Sequence, residues 1–476
     1  MNRIILIGNG FDLAHGMKTS YNDFMDDFWE KEIKEMKKHK GVENYFNKND
    51  LFYLNKIPYS IEGYRENFYY LNENLKKVGC YIHYNNLFLK TLMDTYKTRS
   101  WVDIENEYYL LLKKIIEEER STFKEKSLNV ELSNCCKTIQ DFLNIFTLAT
   151  DIEEKNQSNK AKNNTHSKTQ KELNMPKGKI TLFSLNQDFK VIQNLLEEYL
   201  IRQQKIKLIK NDKIHNAIYS PLQYNDFTEQ RKNEILDFII KRWELYKNKD
   251  KNKESYSKEE ISIFKALSCE MSDIKIRDTI EEKIIKDVSG NLPNLKVEKT
   301  LLLNFNYTSY SYLNAYLNHS EGNNKKGKPL KYKKTELIHI HGKLNDEDNP
   351  IIFGYGDELD DDYHEIEKLN DNEFMENIKS VKYLETDNYK KLLSFINSEP
   401  YQVFIFGHSC GNSDRTLLNT LFEHENCCSI KPFYRKKSDG TDNYSDIVRN
   451  ISRCFKDKAS LRDKVVNKKY TQALFT

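Results

Sequence analysis

A mostly parallel α/β sheet, assembled from the two ends of the chain around a large helical insertion, is the fold this sequence predicts. Three observations carry that expectation. The apolar run RIILIG (residues 3–8) ends in glycine, as a fully buried strand of a parallel sheet does. Short strand-like runs return after residue 300: TLLLNF (300–305), LIHIH (337–341), PIIF (350–353), QVFIF (402–406) and IKPFY (430–434). Between these ends the text is charged and helical in rhythm. Short strands alternating with longer helical stretches are the pattern of doubly wound sheets.

In chain order, residues 1–20 hold the first strand, its loop and the start of a helix. Residues 21–150 read as a helical region rich in Lys, Glu, Tyr and Phe. WVDIENEYYLLLKKIIEEE (101–119) is its clearest amphipathic segment, with acids near its start. Residues 151–178 have almost no apolar content and are expected to be a flexible insertion. Residues 180–299 form a second helical insertion, with one candidate core strand, ITLFSL, at 180–185. Residues 300–440 complete the sheet with 1–20, and 441–476 are expected to be a helical tail. A chain of 476 residues has room for two or three such parts.

The 75 basic and 72 acidic residues leave a net charge of +3, which argues against a protein that grips nucleic acid through phosphate charge. No apolar stretch approaches the roughly 20 residues of a membrane helix. The run in MNRIILIGNG is too short for a signal-peptide core, so a cytoplasmic protein without a membrane partner is expected. The eight cysteines include the adjacent pairs Cys135–Cys136 and Cys427–Cys428 but no CxxC, and all are expected to be thiols.

The loop GNGFDLAHG (8–16) stands where the first strand turns into a helix. Such a turn needs tolerant backbone and lets a phosphate approach a helix N-terminus. After Gly10 the next glycine is Gly16, so the spacing is not GxGxxG. The plain alternative is a tight turn in which Asp12 caps the helix. His339 and His341 are two apart and would share one face of a strand, but two ligands do not make a metal site. Asp357, Glu358, Asp360, Asp361 and Asp362 read as a solvated loop, and no metal is expected. FIFGHSCGNSDRTLL (404–418) reads strand, G-x-S-x-G, helix, the nucleophile-elbow pattern with Ser409 as nucleophile. Only His424 follows Ser409, fifteen residues on, with the elbow helix filling much of that interval. The order of a serine hydrolase is therefore not met.

IILIGNGFDLAHGMKTSYNDF closely resembles the opening of the AbiH abortive-infection family of bacterial anti-phage defence. WVDIE (101–105), NFNYTS with IHIHGKL and IIFGYGDE (304–358), and FIFGHSCGNSDRTLL match the same family in the same order. No block of the family is recognised between about 120 and 298. More distantly, the blocks resemble the SIR2-type NAD-binding fold, which implies a SIR2-like, Rossmann-like sheet with NAD as ligand and substrate. That resemblance implies Asn306 and His341 as the residues flanking the reacting ribose. It implies a cofactor cradle of Gly8, Asn9, Gly10, Phe11, Asp12, Tyr307, Gly342, Gly407, His408 and Ser409, with Asp414 capping or orienting the next helix. Thr308 stands where the SIR2 type usually has Asp, and GNGFD where it has a GAGIS-like loop. LFSLNQDF (182–189) resembles the Asn-x-Asp element as well, so Asn186 competes with Asn306; its plain reading is a cap shared with Asp188. His341 equally reads as a satisfied strand-end histidine.

The implied chemistry is cleavage of the nicotinamide–ribose bond by water that Asn306 orients and His341 deprotonates. A nucleotide-binding sensor or scaffold without turnover is the alternative, supported by Thr308. A nucleic-acid-binding middle is the weaker third. A phage-derived trigger, a partner defence protein and a second copy of the chain stay open as partners.

Overall fold

The computed structural model of the chain describes residues 1–38, 50–55, 68–98, 103–127, 181–205, 210–248, 256–286, 292, 295–308, 313, 316–317, 335–356 and 358–475. Side chains are described for all of these except 97–98, 119–127 and 475.

The run at the start of the chain is apolar without alternation because both faces of its strand are covered. In β1 (Asn2–Ile7), Ile4 and Leu6 belong to one buried cluster, and Ile5 and Ile7 to another on the opposite face. Two short strands, β2 (Phe52–Leu54) and β3 (Ile82–Tyr84), pair with each other in an antiparallel ribbon. The main sheet joins β1 to β4 (Thr300–Asn304), β5 (Thr335–His339), β6 (Tyr401–Phe406), β7 (Cys427–Arg435) and β8 (Ala473–Phe475). Its order is β5-β4-β1-β6-β7-β8, and every neighbouring pair is parallel. Numbered among themselves in chain order, these strands run 3-2-1-4-5-6, the order of a Rossmann sheet, whose ligand crevice opens where the order reverses. Here that is the C-terminal end of β1 and β6.

The helices are α1 (Asn9–Ala14), α2 (Tyr21–Lys38), α3 (Phe68–Lys77), α4 (Leu87–Thr98), α5 (Ile104–Ser127), α6 (Leu182–Gln203), α7 (Asp212–Ile218) and α8 (Glu229–Lys247). They continue as α9 (Lys258–Phe264), α10 (Asp273–Lys286), α11 (Asp361–Lys368), α12 (Lys379–Lys382), α13 (Asn388–Ser398), α14 (Arg415–Glu423), α15 (Tyr444–Arg453) and α16 (Lys458–Lys464). Apolar faces of α13, α14 and α15 cover one side of the sheet through Phe395, Leu418 and Ile451. On the other side lie Phe11 of α1 and Ile214 and Ile218 of α7. The helices α8, α9 and α10 have a core of their own, which meets the sheet at Met1 and Cys428. Two compact units result, Met1–Leu111 with Leu182–Thr476, and Leu112–Thr181. The six described cysteines are free. No described helix is long and apolar enough to cross a membrane.

Four expectations are corrected. Leu182–Leu185 of the candidate strand ITLFSL open α6, where Leu182, Leu185, Phe189 and Ile192 recur at helical spacing on a buried side. PIIF at 350–353 is not a strand; it is tethered beside the sheet by Ile352, whose N–H donates to the His341 carbonyl at 2.8 Å. The tail is not wholly helical, since Ala473–Phe475 adds the last parallel strand against β7. The acidic stretch is not only loop: Asp360 caps α11, accepting from the Asp362 N–H at 3.2 Å, and Asp361 and Asp362 occupy its first turn. The insertion at 151–178 and Asp357 lie outside the described residues.

Candidate functional site

The loops that leave β1 and β6 touch, and glycine is what lets them. A Cβ on Gly8 would lie 2.4 Å from the Cα of His408, and one on Gly407, whose φ is +72°, would lie 2.3 Å from the nitrogen of Phe11. The Gly10 N–H donates to the Gly407 carbonyl at 2.9 Å and the Gly8 N–H to the Phe406 carbonyl at 3.1 Å. These glycines therefore serve the contact between two loops. Beside that contact opens a cavity of about 400 Å³, within the usual range for a small-molecule site.

Its walls come from distant parts of the sequence. Gly8, Asn9, Gly10, Asp12, Asn306, Tyr307, His341, Gly407, His408, Ser409 and Asp414 all line it. Two members of the expected set do not. Phe11 turns away into the core, its ring 4.6 Å from that of His15. Gly342 is a turn residue with φ +79°, where a Cβ would meet the Pro350 carbonyl oxygen at 2.0 Å.

The amide of Asn306 is fixed: its Nδ2 donates to the Gly8 carbonyl at 3.2 Å, which leaves Oδ1 without a partner among the described residues. Asp12 lies inside α1 and is not its cap; its Oδ2 accepts from the Thr308 hydroxyl at 2.8 Å. A carboxylate at position 308 would face buried Asp12, so threonine is the compatible residue there. The backbone of Asp414 stands at the start of α14, but its side chain does not cap that helix. It instead takes part in a buried charge network.

Lys379, only 1% exposed, is the centre of that network. Its Nζ lies 2.9 Å from Glu105 Oε2 and 2.9 Å from Asp414 Oδ1. Burial works against its charge, but Asp414 and Glu105 outweigh burial and hold it protonated. Burial likewise disfavours the Asp414 carboxylate, and Lys379 and His341 overcome this and keep it ionised. Glu105 is pushed up by burial against the pull of Lys379. It also accepts from the Tyr307 hydroxyl at 3.0 Å and the Gly354 N–H at 3.2 Å.

Both histidines turn toward Asp414. His341 Nε2 lies 3.2 Å from Oδ1 and 3.1 Å from the Tyr383 hydroxyl. Burial, then Lys379, lowers the His341 pKa, so the ring is neutral near pH 7. With Nε2–H donated to the carboxylate, Nδ1 is the basic nitrogen and has no partner among the described residues. His408 accepts the Cys410 N–H on Nδ1 at 2.9 Å, which places its proton on Nε2, 3.4 Å from Asp414 Oδ2.

The rival residues fall elsewhere. Asn186 is buried in α6, accepting from the Tyr108 hydroxyl at 2.7 Å and donating to Glu376 Oε2 at 2.9 Å. It lies inside α6 rather than at its cap, donates also to the Glu373 carbonyl at 3.0 Å, and does not line the cavity. Asp188 does cap, accepting the Leu87 N–H at the start of α4 at 2.7 Å. His339 is engaged with Asn304 Nδ2 at 2.9 Å, and no cluster of metal-ligating side chains occurs among the described residues. His424 closes the far end of α14, bonded to Asn397 at 3.1 Å, so it does not serve Ser409.

Sequence reasoning missed Asp103, Glu105, Tyr21 and Lys379. The first three sit inside quoted blocks, WVDIE and the opening block, but nothing in their spacing ties them to the glycine loop. Lys379 lies in a four-residue helix without periodicity, and only the folded chain shows that it is buried.

Sheet order and crevice together define a Rossmann-type α/β protein with a cavity at its switch point. Residues 183–435, more than half of the chain, match the family described as bacteriophage abortive infection AbiH, and the chain belongs to that family. The match takes in α6 to α10, where no family block is legible in the sequence, and begins after the glycine loop. Comparison with curated proteins and with solved structures gives no significant match.

Proposed function

We propose that this abortive-infection protein binds NAD in the cavity and hydrolyses it to nicotinamide and ADP-ribose, depleting the infected cell. The observation behind this reading is that Asn306 and His341 meet both glycine loops at the switch point, although 298 residues separate Asn306 from Gly8.

Asn306 Oδ1 accepts a hydrogen bond from water and aims it at the ribose C1′. As the C1′–N bond breaks, its electron pair leaves with nicotinamide and positive charge develops on the ribose. Water adds to C1′, and its proton passes to Nδ1 of His341. Asp414, bonded to Nε2–H, steadies the imidazolium that results. The acidic lining favours the cationic ribose over the ground state.

The test is nicotinamide release from NAD by the purified protein, alone and with components of phage-infected cells. Release is expected to fall about 10²- to 10⁴-fold in His341→Ala. Intact NAD under both conditions, or full activity in that variant, would sink the reading. The Thr308–Asp12 bond favours one other reading, a nucleotide sensor without turnover. Calorimetry showing that NAD is bound and recovered unchanged would support it.

A further inference from the structure

Four carboxylates line the cavity, and three are already occupied. Asp12 is 1% exposed and held by Thr308. Asp414 receives Lys379 and His341 on one oxygen and faces His408 with the other. Glu105 receives Lys379, Tyr307 and Gly354. The fourth, Asp103, immediately precedes α5 and uses only Oδ1, accepting the Asn106 N–H at 3.1 Å. Its other oxygen has no partner among the described residues. Asp103 lines the cavity like the other three but is only half-buried, whereas they are buried.

Tyr21, at the start of α2, lines the same cavity within electrostatic range of Asp103 and Glu105. Burial, with those acids, raises its pKa well above the ordinary value, so it stays a phenol and can donate. A carboxylate oxygen without a partner among the described residues and a phenolic O–H on the same cavity supply an acceptor and a donor suited to vicinal hydroxyls.

We propose that Asp103 and Tyr21 form the sugar-recognition pair of this cavity, binding the ribose hydroxyls of a ribosyl ligand. The assignment rests on the nucleotide reading above and specifies how its sugar is held. An ionised Asp103 accepts from a hydroxyl more strongly than a neutral one. Its carboxyl is pushed up to about 6, by burial first and then by Asp414 and Glu107, against the Asn106 N–H and Lys379. Binding through it should therefore weaken as pH falls through that value.

The experiment is calorimetry of NAD and ADP-ribose against the full chain, Asp103→Asn and Tyr21→Phe, between pH 5 and 8, with nicotinamide release followed in parallel. Asp103→Asn is expected to weaken ADP-ribose about 10- to 100-fold at pH 7.5 and to flatten the pH dependence, with a smaller loss in Tyr21→Phe. Unchanged affinity and an unchanged pH profile in a folded Asp103→Asn overturn the assignment while leaving NAD hydrolysis standing. Binding that depends on Asp103 without any nicotinamide release keeps the assignment and removes the hydrolysis. A parent chain that binds neither compound overturns both.

Discussion

Two buried charge clusters lean on the same sheet, one at each end of its strands. At the N-terminal end, Arg3 is fully buried, donating to the carbonyls of Ile218 at 2.9 Å and Ser220 at 2.6 Å, with its guanidinium 4.2 Å from the Phe404 ring centroid. Beside it Asp226 receives Lys431 at 2.9 Å and Gln402 at 3.2 Å. Burial drags the Arg3 pKa down to about 9, against the pull of Asp226. This cluster ties the segment from α7 to the 3₁₀ turn at Tyr224–Asp226 onto β1, β6 and β7, and neither Arg3 nor Asp226 lines the cavity. At the C-terminal end the Lys379 cluster is assembled from similar groups, but it borders a cavity and leaves Asn306 Oδ1, His341 Nδ1 and one Asp103 oxygen open. Buried charge alone does not mark a site; buried charge with unspent hydrogen-bonding atoms on cavity-lining residues marks the candidate here.

The contrast can be broken in several ways. The largest effect is expected where a charge is orphaned. Lys379→Met would strand Glu105 and Asp414, and Asp226→Ala would strand Arg3 and Lys431, each costing about 3–5 kcal/mol in urea unfolding. Equal losses in the two variants would fit the shared physics, and a negligible loss in either would refute it for that end. Function should separate them: Asp226→Asn, measured per folded molecule, is expected to keep ligand binding within about threefold, about 0.6 kcal/mol by the affinity relation.

Asp103 gives a smaller effect of opposite sign. Its folded pKa, about 6 against an ordinary 3.8, means that the folded chain holds more protons than the unfolded one between those values. Stability contributed by this group is thus lost as pH rises from about 4 to 6. Asp103→Asn should be more stable than the parent at pH 7 by up to about 2–3 kcal/mol, at 1.36 kcal/mol per pKa unit. Unfolding free energies at pH 4 and pH 7 check it, and a less stable variant at pH 7 would show that Asp103 is structural. His424→Ala, at the end of α14, removes the bonds to Asn397 and to the Asn426 N–H and should cost about 1 kcal/mol of stability while leaving nicotinamide release unchanged. A large loss of activity there would reopen the serine-hydrolase reading.

Much of the sheet was legible because a fully buried strand leaves a local trace. RIILIG, TLLLNF and QVFIF each hold an unbroken apolar stretch, Ile4–Ile7, Leu301–Leu303 and Val403–Phe406, and all three became neighbouring strands. ITLFSL carried a similar trace, and its Leu182–Leu185 became helix, since a short apolar run fits a helix start equally well until its downstream spacing is read. Ala473–Phe475 left almost no trace, because three residues are too few to show a period.

By itself, then, the sequence determined five of the six strand positions of the main sheet, the glycine loop, the family blocks and the chemical character of Asn306 and His341. These depend on residue type and short spacing. Tertiary structure decided that the two glycine loops touch, that Lys379 is buried between Glu105 and Asp414, and which acceptors remain free. Those facts depend on hydrogen bonds between residues up to hundreds of positions apart, such as Asn306 to Gly8, and on burial that raises the electrostatic stakes of every unpaired atom.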